Sequence, residues 1–157
     1  MIQALVPLAL FANGIAAGVM LGNAIGLAAH ALRLPYAGYV DLIKFMWPRY
    51  DPFLPITNVV AFGLDVALAV LVRGEPGGTG SSVLFGAAAA LLVVLMAISL
   101  FKNVPINRYV TALDPASPPR DWAERDPRAA WKSWNQVRVV LSMAALVANL
   151  AGAAVLL

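Results

Sequence analysis

Four apolar runs dominate the chain, at about 4–28, 54–72, 82–101 and 137–157. Each is long enough for a helix that crosses a ~30 Å hydrocarbon core, which takes roughly 20 residues. Polar stretches of unequal length separate them. "RGEPGGTGSS", Arg73 to Ser82, is a short turn rich in glycine, proline and serine, and it predicts that the second and third runs form antiparallel neighbours. The connections at 29–53 and 102–136 are longer. The pattern predicts an all-α integral membrane protein: one four-transmembrane-helix bundle over 1–157. Its two longer connections lie on one side, and the termini and the short turn on the other. The first run lacks a basic segment before it and is too long for a signal-peptide core, so it reads as a retained span.

Composition supports this class. Hydrophobic residues make up 61% of the chain and charged residues 12%, against about 25% charged in a soluble domain. Lysine and arginine are sharply divided. Arg33, Lys44, Arg49, Lys102, Arg108, Arg120, Arg125, Arg128, Lys132 and Arg138 fall on the longer connections or at the start of the last run; the other side holds Arg73 alone. The longer connections are therefore expected to be cytoplasmic, with both termini outside, in a bacterial-type inner or plasma membrane. The net charge of +3 is then an orientation signal, compatible with contacts to anionic lipid headgroups, and gives no reason to expect nucleic acid. The absence of cysteine excludes disulfides, iron–sulfur ligation, haem-thiolate chemistry and thiol relays. One histidine, His30, is too few for a His-rich metal site within one chain. A metal shared between subunits that pool His30 stays open.

Several polar residues sit where they are costly. Asp65 lies in the middle of the second run, where a carboxylate must be paired, hydrated or protonated. Asn58, seven residues earlier, shares its helix face, so Asp65 is expected to face the bundle interior. Asn135, Arg138 and Ser142 share one face of the last helix, but Arg138 is offset from Asp65 by about 10 Å or more along the bundle, too far for direct contact. Asn13 or Asn23 is an alternative partner for Asp65. Gly14, Gly18, Gly22 and Gly26 are spaced four apart, a row on which another helix of this chain or of a second copy can pack closely. The 29–53 connection is aromatic, with Tyr36, Tyr39, Phe45, Trp47, Tyr50 and Phe53. It predicts a short interfacial helix over 38–47 ended by Pro48, serving as an aromatic belt or as a lid.

The end of the third run, "KNVPINR", and the start of the fourth, "WKSWNQVR", are expected at the same depth, near His30. Asn103, Asn107, Trp131, Trp134, Asn135 and Arg138 can then form a pocket with amides, a cation and aromatic walls, with Pro105 breaking the helix beside it. Such a pocket suits a flat, apolar molecule carrying a few oxygens, and it can stabilise an enolate or phenolate. His30 or Asp65 is the candidate base.

These two segments resemble a known family. Pro105 and Asn107 fit a P-x-N-x-x-[LV]-like segment, and Trp131, Asn135 and Arg138 fit W-x-x-x-[NH]-x-x-R; both are similar to those of the small four-span membrane family that includes the anthrone oxygenases. The resemblance implies oxidation of a polyketide anthrone to an anthraquinone, with dioxygen as co-substrate and no flavin or haem. The residues are compatible with that chemistry: Arg138 and the asparagines can hold the oxyanion, and His30 or Asp65 can take the proton. Two other readings remain open: a non-enzymatic membrane module that binds a lipid or a partner subunit, including a homo-oligomer built on the glycine row, and a small proton-coupled transporter using Asp65.

Overall fold

A computed structural model describes residues 1–156. Its elements run in chain order: α1 (Ile2–Gly22), a π-helical turn (Asn23–Leu27), α2 (Ala28–Ala31), α3 (Tyr36–Tyr50), α4 (Phe53–Leu71), a 3-10 turn (Val72–Gly74), α5 (Gly78–Ile98), a second π-helical turn (Ser99–Asn103), α6 (Val104–Thr111), α7 (Trp122–Arg125) and α8 (Arg128–Val155). Four continuous helical stretches, Ile2–Ala31, Phe53–Gly74, Gly78–Thr111 and Trp122–Val155, are long and apolar enough to cross a membrane. α1 packs on α4, α4 on α5, α5 on α8 and α8 back on α1, which closes the predicted four-helix bundle.

The hairpin turn and the termini share one end, as expected. Gly77 adopts φ +71°, and a Cβ placed on it would meet the Val155 carbonyl oxygen at 2.6 Å, so the turn docks on the C-terminal end of α8. Gly77→Ala is expected to cost about 1–3 kcal/mol through the positive φ and this backbone clash, read as a lower thermal unfolding midpoint in detergent.

Close helix contact occurs elsewhere than the glycine row. A Cβ on Gly152 would stand 3.3 Å from the Phe85 ring, and Ser81 Oγ donates to the Gly152 carbonyl at 2.9 Å, so α5 and α8 make the close approach. Among the described residues, no atom beyond the adjoining turns of their own helix lies within 4 Å of a Cβ built on Gly14, Gly18, Gly22 or Gly26. They face outward, away from the other helices of this chain.

Two expectations about proline need correction. Pro48 does not end the interfacial helix, which begins two residues earlier than expected and runs through Pro48 to Tyr50. Near the end of α3 the missing N–H removes only one bond of the ladder. Nor does Pro105 break the third helix. The Val104 N–H reaches back five residues to the Ser99 carbonyl, and Pro105, with no N–H to place, enters as the α-helical ladder resumes. The third helical stretch therefore extends to Thr111 rather than stopping near 101.

The longer connections fold onto each other as a cap. Tyr39, Val40, Ile43 and Met46 form the buried face of α3, and Tyr39, Val40 and Ile43 pack with Val110 and Trp131. Lys44 Nζ donates to the Leu113 carbonyl at 2.7 Å, Tyr36 Oη to the Asp114 carbonyl at 2.8 Å, and Arg128 Nη1 to the Leu34 carbonyl at 2.6 Å. Arg128 is also ion-paired with Asp126. Burial, with the Asp126 carboxylate as the smaller influence, pushes the Tyr39 phenol up, so it stays neutral within the cap.

Candidate functional site

Beneath this cap lies a cavity of about 300 Å³, within the range of small-molecule sites. α3 contributes Ile43, Met46, Trp47 and Tyr50, and the following turn contributes Asp51. α4 adds Leu54, Pro55, Asn58 and Val59. The third helical stretch adds Met96, Ser99, Leu100, Asn103, Val104 and Asn107, and α8 adds Trp131, Asn135 and Arg138. Asn23 completes the wall from the first helix.

Both π-helical turns border this cavity. In each, a backbone N–H bonds five residues back: Ala28 to Asn23, and Val104 to Ser99. A single inserted residue re-aims the side chains around it, and such bulges are frequent at functional sites. Here they carry Asn23, Ser99, Leu100 and Asn103 to the cavity wall.

A chain of hydrogen bonds fixes the cation. Trp131 Nε1 donates to Asn107 Oδ1 at 3.0 Å, which joins α8 to α6. Asn135 Nδ2 donates to the Trp131 carbonyl at 2.8 Å, leaving Asn135 Oδ1 to accept from Arg138 Nη1 at 3.3 Å. Trp131, Asn135 and Arg138 stand at i, i+4 and i+7, one face of one helix, so the chain runs along the cavity wall. Asp51 lines the same cavity.

Other polar atoms of the wall have no hydrogen-bond partner among the described residues. The amide of Asn103, Asn23 Oδ1, Asn58 Oδ1, Trp47 Nε1 and Arg138 Nε are buried and make no hydrogen bond. Asn58 spends its Nδ2 on the Leu54 carbonyl at 2.8 Å, which leaves its oxygen free. A buried polar group without a partner costs about 1–3 kcal/mol, so a ligand that supplies partners recovers that free energy. The wall thus offers donors to a carbonyl or oxyanion, acceptors to hydroxyls, and Trp47, Tyr50, Trp131, Met46 and Met96 to an apolar ring system.

The cavity brings together Asn103, Asn107, Trp131, Asn135 and Arg138 of the residues expected from sequence. Four others lie outside its lining. Pro105 is exposed, because Asn103 and Asn107 share a helix face and the residue midway between them points the opposite way. Trp134 turns aside beneath Lys102, whose Nζ stands 5.3 Å from the ring centre. His30 is exposed at the end of α2. Asp65 is fully buried seven residues along α4 from Asn58, about 10 Å deeper in the bundle. Asn149 lies alongside its carboxyl without hydrogen-bond geometry, and Asn13 and Ser142 are likewise buried and unpartnered.

Asp51, Trp47 and Tyr50 were not among the expected site residues. A signal existed for part of this wall: Ile43, Met46, Trp47 and Tyr50 fall at i, i+3, i+4 and i+7, one helical face, visible once the helix is allowed past Pro48. Ser99 had no such signal, because its position depends on the π-helical turn. Among the described residues, no three of His, Asp and Glu gather at metal-binding range.

Comparison with curated proteins and with solved structures gave no match. The family model described as anthrone oxygenase matches residues 47–148, a span that begins in the cavity wall at Trp47 and includes Asp51, Asn58, Asn103, Asn107, Trp131, Asn135 and Arg138. With about two thirds of its length matched, the chain belongs to the anthrone oxygenase family.

Proposed function

We propose that the protein is a membrane-embedded oxygenase that oxidises a lipophilic aromatic ketone of the anthrone type with dioxygen, without a bound redox group. The observation that carries this reading is the placing of Arg138, held by the Asn107–Trp131–Asn135 chain, in a cavity that also contains Asp51.

The chemistry follows from the substrate's own acidity. Asp51, or a water it orients, takes a proton from the methylene carbon opposite the ketone. The electron pair moves onto the ketone oxygen, and Arg138 with the Asn103 amide stabilises the resulting oxyanion. The electron-rich enolate reduces dioxygen, and carbon–oxygen bond formation at the former methylene gives a peroxide. Loss of the second hydrogen from that carbon, with cleavage of the O–O bond, releases water and leaves a carbonyl. One CH₂ and one O₂ become one C=O and one H₂O.

The distribution of basic residues supports a cap at the cytoplasmic face of the membrane. The outward row of Gly14, Gly18, Gly22 and Gly26 is the surface on which a second copy would pack. The test uses purified protein in lipid nanodiscs with anthrone. Oxygen uptake and quinone formation are expected in a one-to-one ratio above the uncatalysed background. A preparation that is folded yet leaves anthrone at the background rate overturns the oxygenase reading and returns the cavity to a binding role.

A further inference from the structure

One edge of the cavity is left uncovered by the chain. Among the lining residues three are exposed: Pro55 and Val59 on α4, and Leu100 in the second π-helical turn. Val59 is 56% exposed and Leu100 is 59% exposed. Every other lining residue is buried or half-buried.

These three residues belong to one seam. α4 and α5 are packed neighbours joined by the short turn. Pro55 and Val59 line the same cavity as Met96 and Leu100, so the exposed residues of α4 and of the π-helical turn that ends α5 share its rim. Both helices are long and apolar enough to cross a membrane, so the exposed seam faces hydrocarbon. On the cap side, Ile43 and Met46 are buried and Trp47 and Tyr50 half-buried, so α3 covers the cavity.

We infer that the cavity is loaded sideways from the bilayer, through a mouth between α4 and α5 framed by Pro55, Val59 and Leu100. This rests on reading the cavity as the site of a small-molecule substrate, and it specifies the substrate as one dissolved in the hydrocarbon phase. The polarity gradient also sets its orientation. The mouth is apolar, while the inner wall carries Asn58, Asn103 and Arg138, so the oxygen-bearing end enters first. A lipid acyl chain in the same space would leave Arg138 Nε and the Asn103 amide unpaired, so a lipophile bearing oxygens is the better occupant.

The absence of cysteine makes the mouth directly testable. Ser99 lines the cavity, and the Ser99→Cys variant carries the only thiol in the chain. In nanodiscs, bilayer-dissolved N-phenylmaleimide is expected to modify it, while a charged, water-borne methanethiosulfonate is not. Adding Val59→Trp and Leu100→Trp should slow the maleimide reaction by about tenfold, the rate cost of a barrier raised by ~1.4 kcal/mol. Val59→Ala with Leu100→Ala should speed it, which keeps the test valid where the bulky pair disturbs folding. Labelling that neither pair of substitutions alters, or that the charged reagent matches, overturns the lateral route in favour of one from water. A thiol unreactive to both reagents overturns it as a sealed seam. The readout is independent of turnover: gated labelling beside unreacted anthrone would remove the oxygenase reading and leave the mouth in place.

Discussion

Arg138→Ala is expected to lower turnover of an anthrone-type substrate by about 10²–10³, with the helical bundle intact. Arg138 is the guanidinium that lines the cavity, and Asn135 Oδ1 holds its Nη1 at 3.3 Å. An oxyanion that develops on the substrate gains most from a cation already in place, because nothing must reorganise as the charge forms. Arg138→Lys retains a charge but not the planar fork, so it should recover only part of the loss. The measurement is initial-rate oxygen uptake in nanodiscs, with far-UV circular dichroism and size-exclusion profiles showing that each variant remains folded. Turnover of Arg138→Ala within a few-fold of the unsubstituted protein would remove this residue from the reaction.

The bundle itself was legible in the hydropathy pattern because each span is a long apolar run bounded by turns or charge, and lipid leaves helices as one of few solutions for such runs. Asn103, Asn107, Trp131, Asn135 and Arg138 were legible too, since helical spacing and common depth are enough to gather them. The differences from expectation have two physical sources. Proline was read as a stop at Pro48 and Pro105, yet one lies near the end of a helix and the other follows a π-helical turn that accommodates it. No hydropathy pattern encodes that turn, so the reach of the third helix and the place of Ser99 were hidden. The base was sought in the residues that looked most unusual, His30 and Asp65. Asp51 attracted no attention because a carboxylate in an interfacial connection is ordinary by sequence, and only the fold of α3 against α4 brings it to the cavity.

That last point leads to the second large effect. Asp51→Asn is expected to lower turnover by about 10²–10⁴, the usual range for removing a general base. Asp51 is the carboxylate on the cavity wall, whereas Asp65 lies about 10 Å beyond the wall residue Asn58 and His30 is exposed outside it. Asparagine preserves the shape and hydrogen-bonding reach of the side chain but cannot accept the substrate proton, so substrate binding should survive while proton abstraction fails. Two readouts separate this from a structural defect. Deuterium at the reacting carbon should produce a larger isotope effect in the variant, where carbon–hydrogen cleavage becomes fully rate-limiting. Raising the pH should restore part of the rate, as hydroxide takes over the role of the missing base. The same assay ranks the three candidates directly. If His30→Ala or Asp65→Asn removes the isotope-sensitive step while Asp51→Asn leaves it untouched, the proton goes elsewhere and the cavity geometry has been misread.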